Sequence, residues 1–105
     1  MAPSTWYGLQ DASSVISPSL LVYPERILHN IRIMIEMAGG PEHLRPHIKT
    51  HKTAEIIEMQ LEQGITKFKC ATIAEAELLA MCKAPDILLA MQPVGVDMQR
   101  FFALM

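Results

Sequence analysis

The sequence predicts an α/β fold: a partial (β/α)8 barrel of the TIM type, with parallel strands alternating with helices, truncated after about three barrel strands. Three observations predict it. Short β-prone runs alternate with amphipathic stretches from Ser19 to Met105. Each strand-plus-helix unit takes roughly 20 to 25 residues, the grammar of a parallel sheet with helices outside it. A complete eight-stranded barrel needs about 250 residues, and this chain has 105. Residues 1–105 are therefore expected to be the N-terminal portion of a barrel, with 1–17 an irregular arm that contains Pro3, Trp6 and Gly8.

The elements follow in order. Ser19 to Tyr23 is apolar and β-prone, sits between Pro18 and Pro24, and reads as a short strand. Pro24-Glu25 opens a helix, since proline suits the first helical position and an acid there suits the dipole. Ile27, Ile31, Met34 and Ile35 recur at helical spacing until Gly39-Gly40-Pro41 stops the run. Leu44 to Thr50 reads as a strand whose alternation puts Arg45, His47 and Lys49 on one face. Pro46 counts against a central position for it, because proline lacks the ladder donor.

Thr53 to Gln63 is the next helix, with Gly64 as its stop. Thr66 to Ala71 reads as a strand. Thr72 and Glu75 then have the spacing of a capping box, in which each satisfies an orphan backbone donor of the following helix. That helix ends before Pro85. Asp86 to Met91 is a nearly continuous apolar strand, as expected where both faces are covered. Gln92 to Gly95 is a loop, and an amphipathic helix begins at Val96.

Composition narrows the function. Half the residues are hydrophobic and the formal net charge is −2, which removes the electrostatic case for nucleic acid or an anionic membrane. No Gly-x-Gly-x-x-Gly or Walker-type loop follows any strand, which lowers the dinucleotide and nucleotide-triphosphate readings. Cys70 and Cys82 make a poor disulfide framework and fit reduced thiols in a cytoplasmic protein. No apolar run approaches the roughly 20 residues of a membrane span.

The chemistry concentrates in Arg45-Pro46-His47-Ile48-Lys49-Thr50-His51-Lys52, at the C-terminal end of a predicted parallel strand, where such folds place their sites. A lysine there can form a Schiff base with an aldehyde. It must lose its proton to attack, and burial beside other cations favours that loss. His47 and His51 are suited to moving protons at neutral pH. They stand four apart, but a strand and loop do not stack such a pair as a helix does, so no metal site is read here.

This eight-residue run resembles the cofactor-binding segment of fold-type III pyridoxal-phosphate enzymes, in the D-threonine aldolase and D-serine dehydratase branch of the alanine racemase N-terminal-domain superfamily. Ser17 to Val22 is similar to the family's "TPALLV" stretch, with Ser17 where threonine is common. Cys70 to Glu77 resembles its next strand and helix, and Asp86 to Ala90 the strand after that. The likeness runs over almost all of the chain from Pro18 onward. It implies that Lys49 is the Schiff-base lysine and that pyridoxal 5'-phosphate is the cofactor. It implies a barrel followed by a C-terminal β domain and a homodimer at full length. Some members also use a divalent metal, whose ligands come from the C-terminal domain and none from this stretch.

The expected function is that of a pyridoxal-phosphate-dependent lyase acting on D-amino acids, with aldol cleavage of a D-β-hydroxy-amino acid first, D-serine dehydration next and racemisation third. A non-catalytic carrier of pyridoxal phosphate for vitamin homeostasis is the reading from another class. The 105 residues alone are expected to be incomplete and inactive. Beside Lys49, the candidate cofactor-binding residues are His47, Arg45, Thr72 and Gln92. Two of them have a plainer role open: a structural ion pair for Arg45 and a helix cap for Thr72. His47 reads as a barrel-lining residue near the cofactor, Gln92 ends a predicted strand, and His51 reads equally as a solvated loop residue.

Overall fold

Pro24, at the first position of a helix with Glu25 behind it, opens α1 (Pro24–Ala38) as its chemistry requires. The computed structural model describes residues 6–105, so Pro3 of the predicted arm lies outside the described residues. From residue 6 to residue 17 the arm is irregular apart from a single 3-10 turn at Ala12–Ser14. Trp6 ties it to α1, lying 3.7 Å beneath the Arg26 guanidinium and edge-on to Tyr23. Gly39 closes the helix in the left-handed region, with φ 82°. Its N–H donates to the Glu36 carbonyl and the Gly40 N–H to that of Ile35, a Schellman closure that glycine makes without Cβ strain.

The remaining elements are α2 (Ala54–Glu62), β1 (Lys67–Cys70), α3 (Ile73–Met81), β2 (Asp86–Leu89) and α4 (Val96–Leu104). β1 and β2 pair in parallel, in the register Lys67 with Asp86 through Cys70 with Leu89, and α3 makes the crossover. Both strands fall within the predicted runs but are shorter.

Two predicted strands differ from the structure. Ser19–Tyr23 is extended chain outside any sheet, with Leu20, Leu21 and Val22 exposed. A β-prone run becomes a strand only against a partner edge, and among the described residues this one has none. Leu44–Thr50 contracts to a single parallel bridge between His47 and Lys69. Ile48 N–H donates to the Lys69 carbonyl at 3.0 Å, and Lys69 N–H to the Pro46 carbonyl at 2.9 Å. Pro46 supplies no N–H to lengthen the ladder, and the chain turns at Lys49–His51.

The core lies between this sheet and the helices. Phe68, Ile48, Ile57, Ile65, Leu79 and Cys70 are fully buried, and Ile31 of α1 joins them. Along β1, Phe68 and Cys70 point into that core, while Lys67 and Lys69 stand on the opposite face. β2 has Ile87 and Leu89 half-buried on the helical side, and Asp86 and Leu88 exposed on the other. The both-faces-covered reading of 86–91 is therefore corrected: among the described residues the helices cover one face only. Among the described residues no helix is long and apolar enough to cross a membrane.

Candidate functional site

The open face of the sheet is built in levels. Strand alternation and the paired register put Lys67 and Asp86 at one level, His47, Lys69 and Leu88 at the next. Counting two residues either way from His47 assigns Arg45 to the first level, at the N-terminal end of the strands. The same count puts Lys49 beside Ala71 and Ala90, at the C-terminal end. Ile48, with no exposure, holds the segment's other face in the core and so turns Lys49 outward.

Lys49 is exposed, and its backbone N–H donates to His47 Nδ1 at 3.2 Å, which joins these two predicted site residues. The turn that follows is fixed by His51 and Lys52 N–H groups, which both donate to the Ile48 carbonyl. Lys52 takes φ 50°, a left-handed value uncommon for lysine. His51 Nδ1 accepts from Thr53 N–H at 3.0 Å, and Thr53 Oγ1 donates to the His51 carbonyl at 2.7 Å. A neutral His51 ring therefore carries its proton on Nε2, and that buried atom has no partner among the described residues. Burial holds the His51 pKa below its usual 6.5.

Thr72 and Glu75 form the predicted cap with one shift of partner. Glu75 N–H donates to Thr72 Oγ1 at 3.1 Å, but the Glu75 carboxylate receives the N–H of Ala71 at 3.1 Å, one residue before the cap. The Thr72 hydroxyl donates to the other carboxylate oxygen at 2.8 Å. Burial alone would raise the Glu75 pKa. The two hydrogen bonds, with the positive charge of Lys52 nearby, outweigh it and hold the carboxyl below its ordinary 4.5. Composition gave no sign that this carboxylate would stand close enough to the Arg45–Lys52 segment to feel its charges.

Arg45 stands apart from Lys49. Its guanidinium reaches across β1, donating to the Phe68 carbonyl at 3.1 Å and to Asp86 Oδ1 at 2.7 Å. Asp86 was not among the predicted site residues; no local signal links it to Arg45, 41 positions away. Thr72 and Gln92 meet in a cavity of about 330 Å³ above the ends of β1 and β2, lined also by Ile73, Met91, Asp97 and Arg100. Lys49, His47 and Arg45 do not line it. Among the described residues no three His, Cys, Asp or Glu side chains converge as a metal site would require.

The end of the sheet that bears Lys49 fits an aldehyde cofactor. The Lys49 side chain is exposed, the strand count sets the small Ala71 and Ala90 nearest it, and His51, two residues on, has a buried Nε2 with no partner among the described residues. No curated protein and no solved structure matches the chain. Residues 22–102 match the family described as "Alanine racemase, N-terminal domain", whose members are typically pyridoxal-phosphate-dependent enzymes of fold-type III, and the chain belongs to that family.

Proposed function

We propose that this chain carries the cofactor lysine, Lys49, of a pyridoxal-phosphate-dependent lyase acting on D-amino acids. The observation that carries the reading is the position of Lys49: accessible, at the C-terminal end of a parallel sheet, on the face the helices leave open. When bound, the cofactor supplies an electron sink for bonds at the amino acid's α-carbon. Every other part belongs to the chain. Lys49 attaches the cofactor and, once released, holds or returns the α-proton on Nζ. His47 sits beside it and fixes the backbone from which that amine extends. His51, whose pKa burial lowers, braces the turn after Lys49 through its Nδ1, which accepts the Thr53 N–H. Thr72 and Gln92 shape the neighbouring cavity.

The preferred reaction is aldol cleavage of a D-β-hydroxy-amino acid such as D-threonine. Aldol cleavage breaks the Cα–Cβ bond as the β-hydroxyl loses its proton and then needs a proton returned at the α-carbon, whereas D-serine dehydration and racemisation begin by removing the α-proton. A visible absorbance band is expected when the chain is mixed with pyridoxal phosphate, and Lys49→Ala is expected to lose it. In a chain that also carries the later barrel segments and the C-terminal domain that the resemblance implies, D-threonine and D-serine are expected to discharge the band while L-threonine leaves it intact. Equal discharge by both enantiomers would overturn the D-specific reading, and a band indifferent to every amino acid would mark a carrier rather than an enzyme.

A further inference from the structure

The segment bearing Lys49 is held to the sheet by little backbone. One bridge, between His47 and Lys69, supplies two hydrogen bonds, and Pro46 has no N–H to continue the ladder toward Lys67. Two separate quantities must still be fixed for Lys49 to stand where it does. One is the face it points from; the other is its height along the strand.

Ile48 fixes the face. A slip of one residue would take this fully buried side chain out of the core and turn Lys49 into it. A slip of two residues keeps the alternation, with Pro46 or Thr50 taking the place that Ile48 fills. Leu44, Pro46 and Ile48 would still alternate toward the helices, and Lys49 would still point outward. It would, however, stand roughly 6.6 Å away from the level of Ala71 and Ala90.

Arg45 is the side chain that distinguishes those heights. It shares the strand and the face of Lys49, four residues or roughly 13 Å toward the other end of the sheet. Its guanidinium spans two strands, bonded to the Phe68 carbonyl of β1 and to Asp86 at the start of β2. Asp86 is itself in register with Lys67, at the level that strand counting assigns to Arg45. Any two-residue slip separates Arg45 from both partners. We propose that Arg45 is a positioning residue which, through its pair with Asp86, sets the height of Lys49 along the sheet. The inference rests on the reading of Lys49 as the cofactor lysine.

Amide hydrogen exchange tests it on the 105-residue chain without cofactor. The reporters are Ile48 and Lys69, whose N–H groups make the bridge; the controls are Ile57 and Ala76, whose N–H groups bond within helices to Thr53 and Thr72 carbonyls. Arg45→Met is expected to speed exchange at both reporters by at least about tenfold and leave both controls unchanged. Asp86→Asn, a milder change of nearly the same shape, is expected to act in the same direction. The reversed pair, Arg45→Asp with Asp86→Arg, is expected to restore protection. Parallel acceleration of reporters and controls would show a general structural role and overturn the proposal. So would unchanged reporters in Asp86→Asn, or a reversed pair no better protected than Arg45→Met. Exchange reads the height of the segment whatever Lys49 binds, so failure here is distinct from failure to find cofactor on Lys49. In Arg45→Met the share of reductively fixed pyridoxal phosphate found at Lys49 is expected to fall, and to recover in the reversed pair.

Discussion

Glu75 joins a helix cap to the candidate site. Its carboxylate takes the Ala71 N–H and the Thr72 hydroxyl, and it feels the charge of Lys52 from the segment opposite. Glu75→Gln is expected to cost about 1–3 kcal/mol at pH 7, since one buried acceptor becomes a donor. The sign with pH follows from the depressed pKa. Stability supplied by the ionised carboxylate is present above the unfolded value of 4.5 and is lost as pH falls through the lower folded value. The gap between wild type and variant, measured by urea unfolding at pH 7 and pH 3, is therefore expected to narrow in acid. A gap that widens would contradict the account. At this scale the sequence was informative where chemistry is local. The spacing of Thr72 and Glu75 announced a cap, and the alternation of His47, Ile48 and Lys49 announced which side chain would face out. It offered an ion pair as one role for Arg45 but was silent on the partner, Asp86, because a pair across 41 positions leaves no local pattern.

Helix ends were the most legible elements, because each stop is a single residue's conformational preference. Gly64, predicted to end α2, has φ 93°, and a Cβ there would stand 3.2 Å from Pro41 Cγ. Gly64→Ala is expected to destabilise the chain by about 1–2 kcal/mol, from left-handed strain and that contact together. Thermal unfolding followed by circular dichroism measures it. An unchanged melting temperature would mean that the turn relaxes away from Pro41. Strands were less legible. Ser19–Tyr23 has the composition of a strand and no partner among the described residues, and Leu44–Thr50 has the alternation but pairs at one residue. Strand formation depends on an edge elsewhere in the chain, which composition does not carry.

For the whole molecule, the order of helices α1 to α4 and the parallel pairing of β1 with β2 are those the periodicity predicts, while among the described residues two of the four predicted strands do not form; the family match over residues 22–102 agrees with an α/β unit. The stability of that arrangement rests on one layer of core between sheet and helices. Phe68 is its largest fully buried side chain. Phe68→Ala is expected to cost about 3–5 kcal/mol, a large fraction of the roughly 5–15 kcal/mol that holds a typical domain folded. Urea unfolding of the variant is expected to show a much lower midpoint, or no folded baseline at all. A loss below about 1 kcal/mol would mean that this layer is not the core.

The cofactor is the central claim at this scale, since it depends on Lys49 being held at the working end of the sheet by everything beneath it. The most direct measurement is to mix the chain with pyridoxal phosphate, reduce with borohydride, digest, and locate the modified lysine by mass spectrometry. The expected result is label concentrated on Lys49, and absent from the same peptide in Lys49→Ala. Label spread evenly over Lys52, Lys67, Lys69 and Lys83, or concentrated on any one of them, would contradict it.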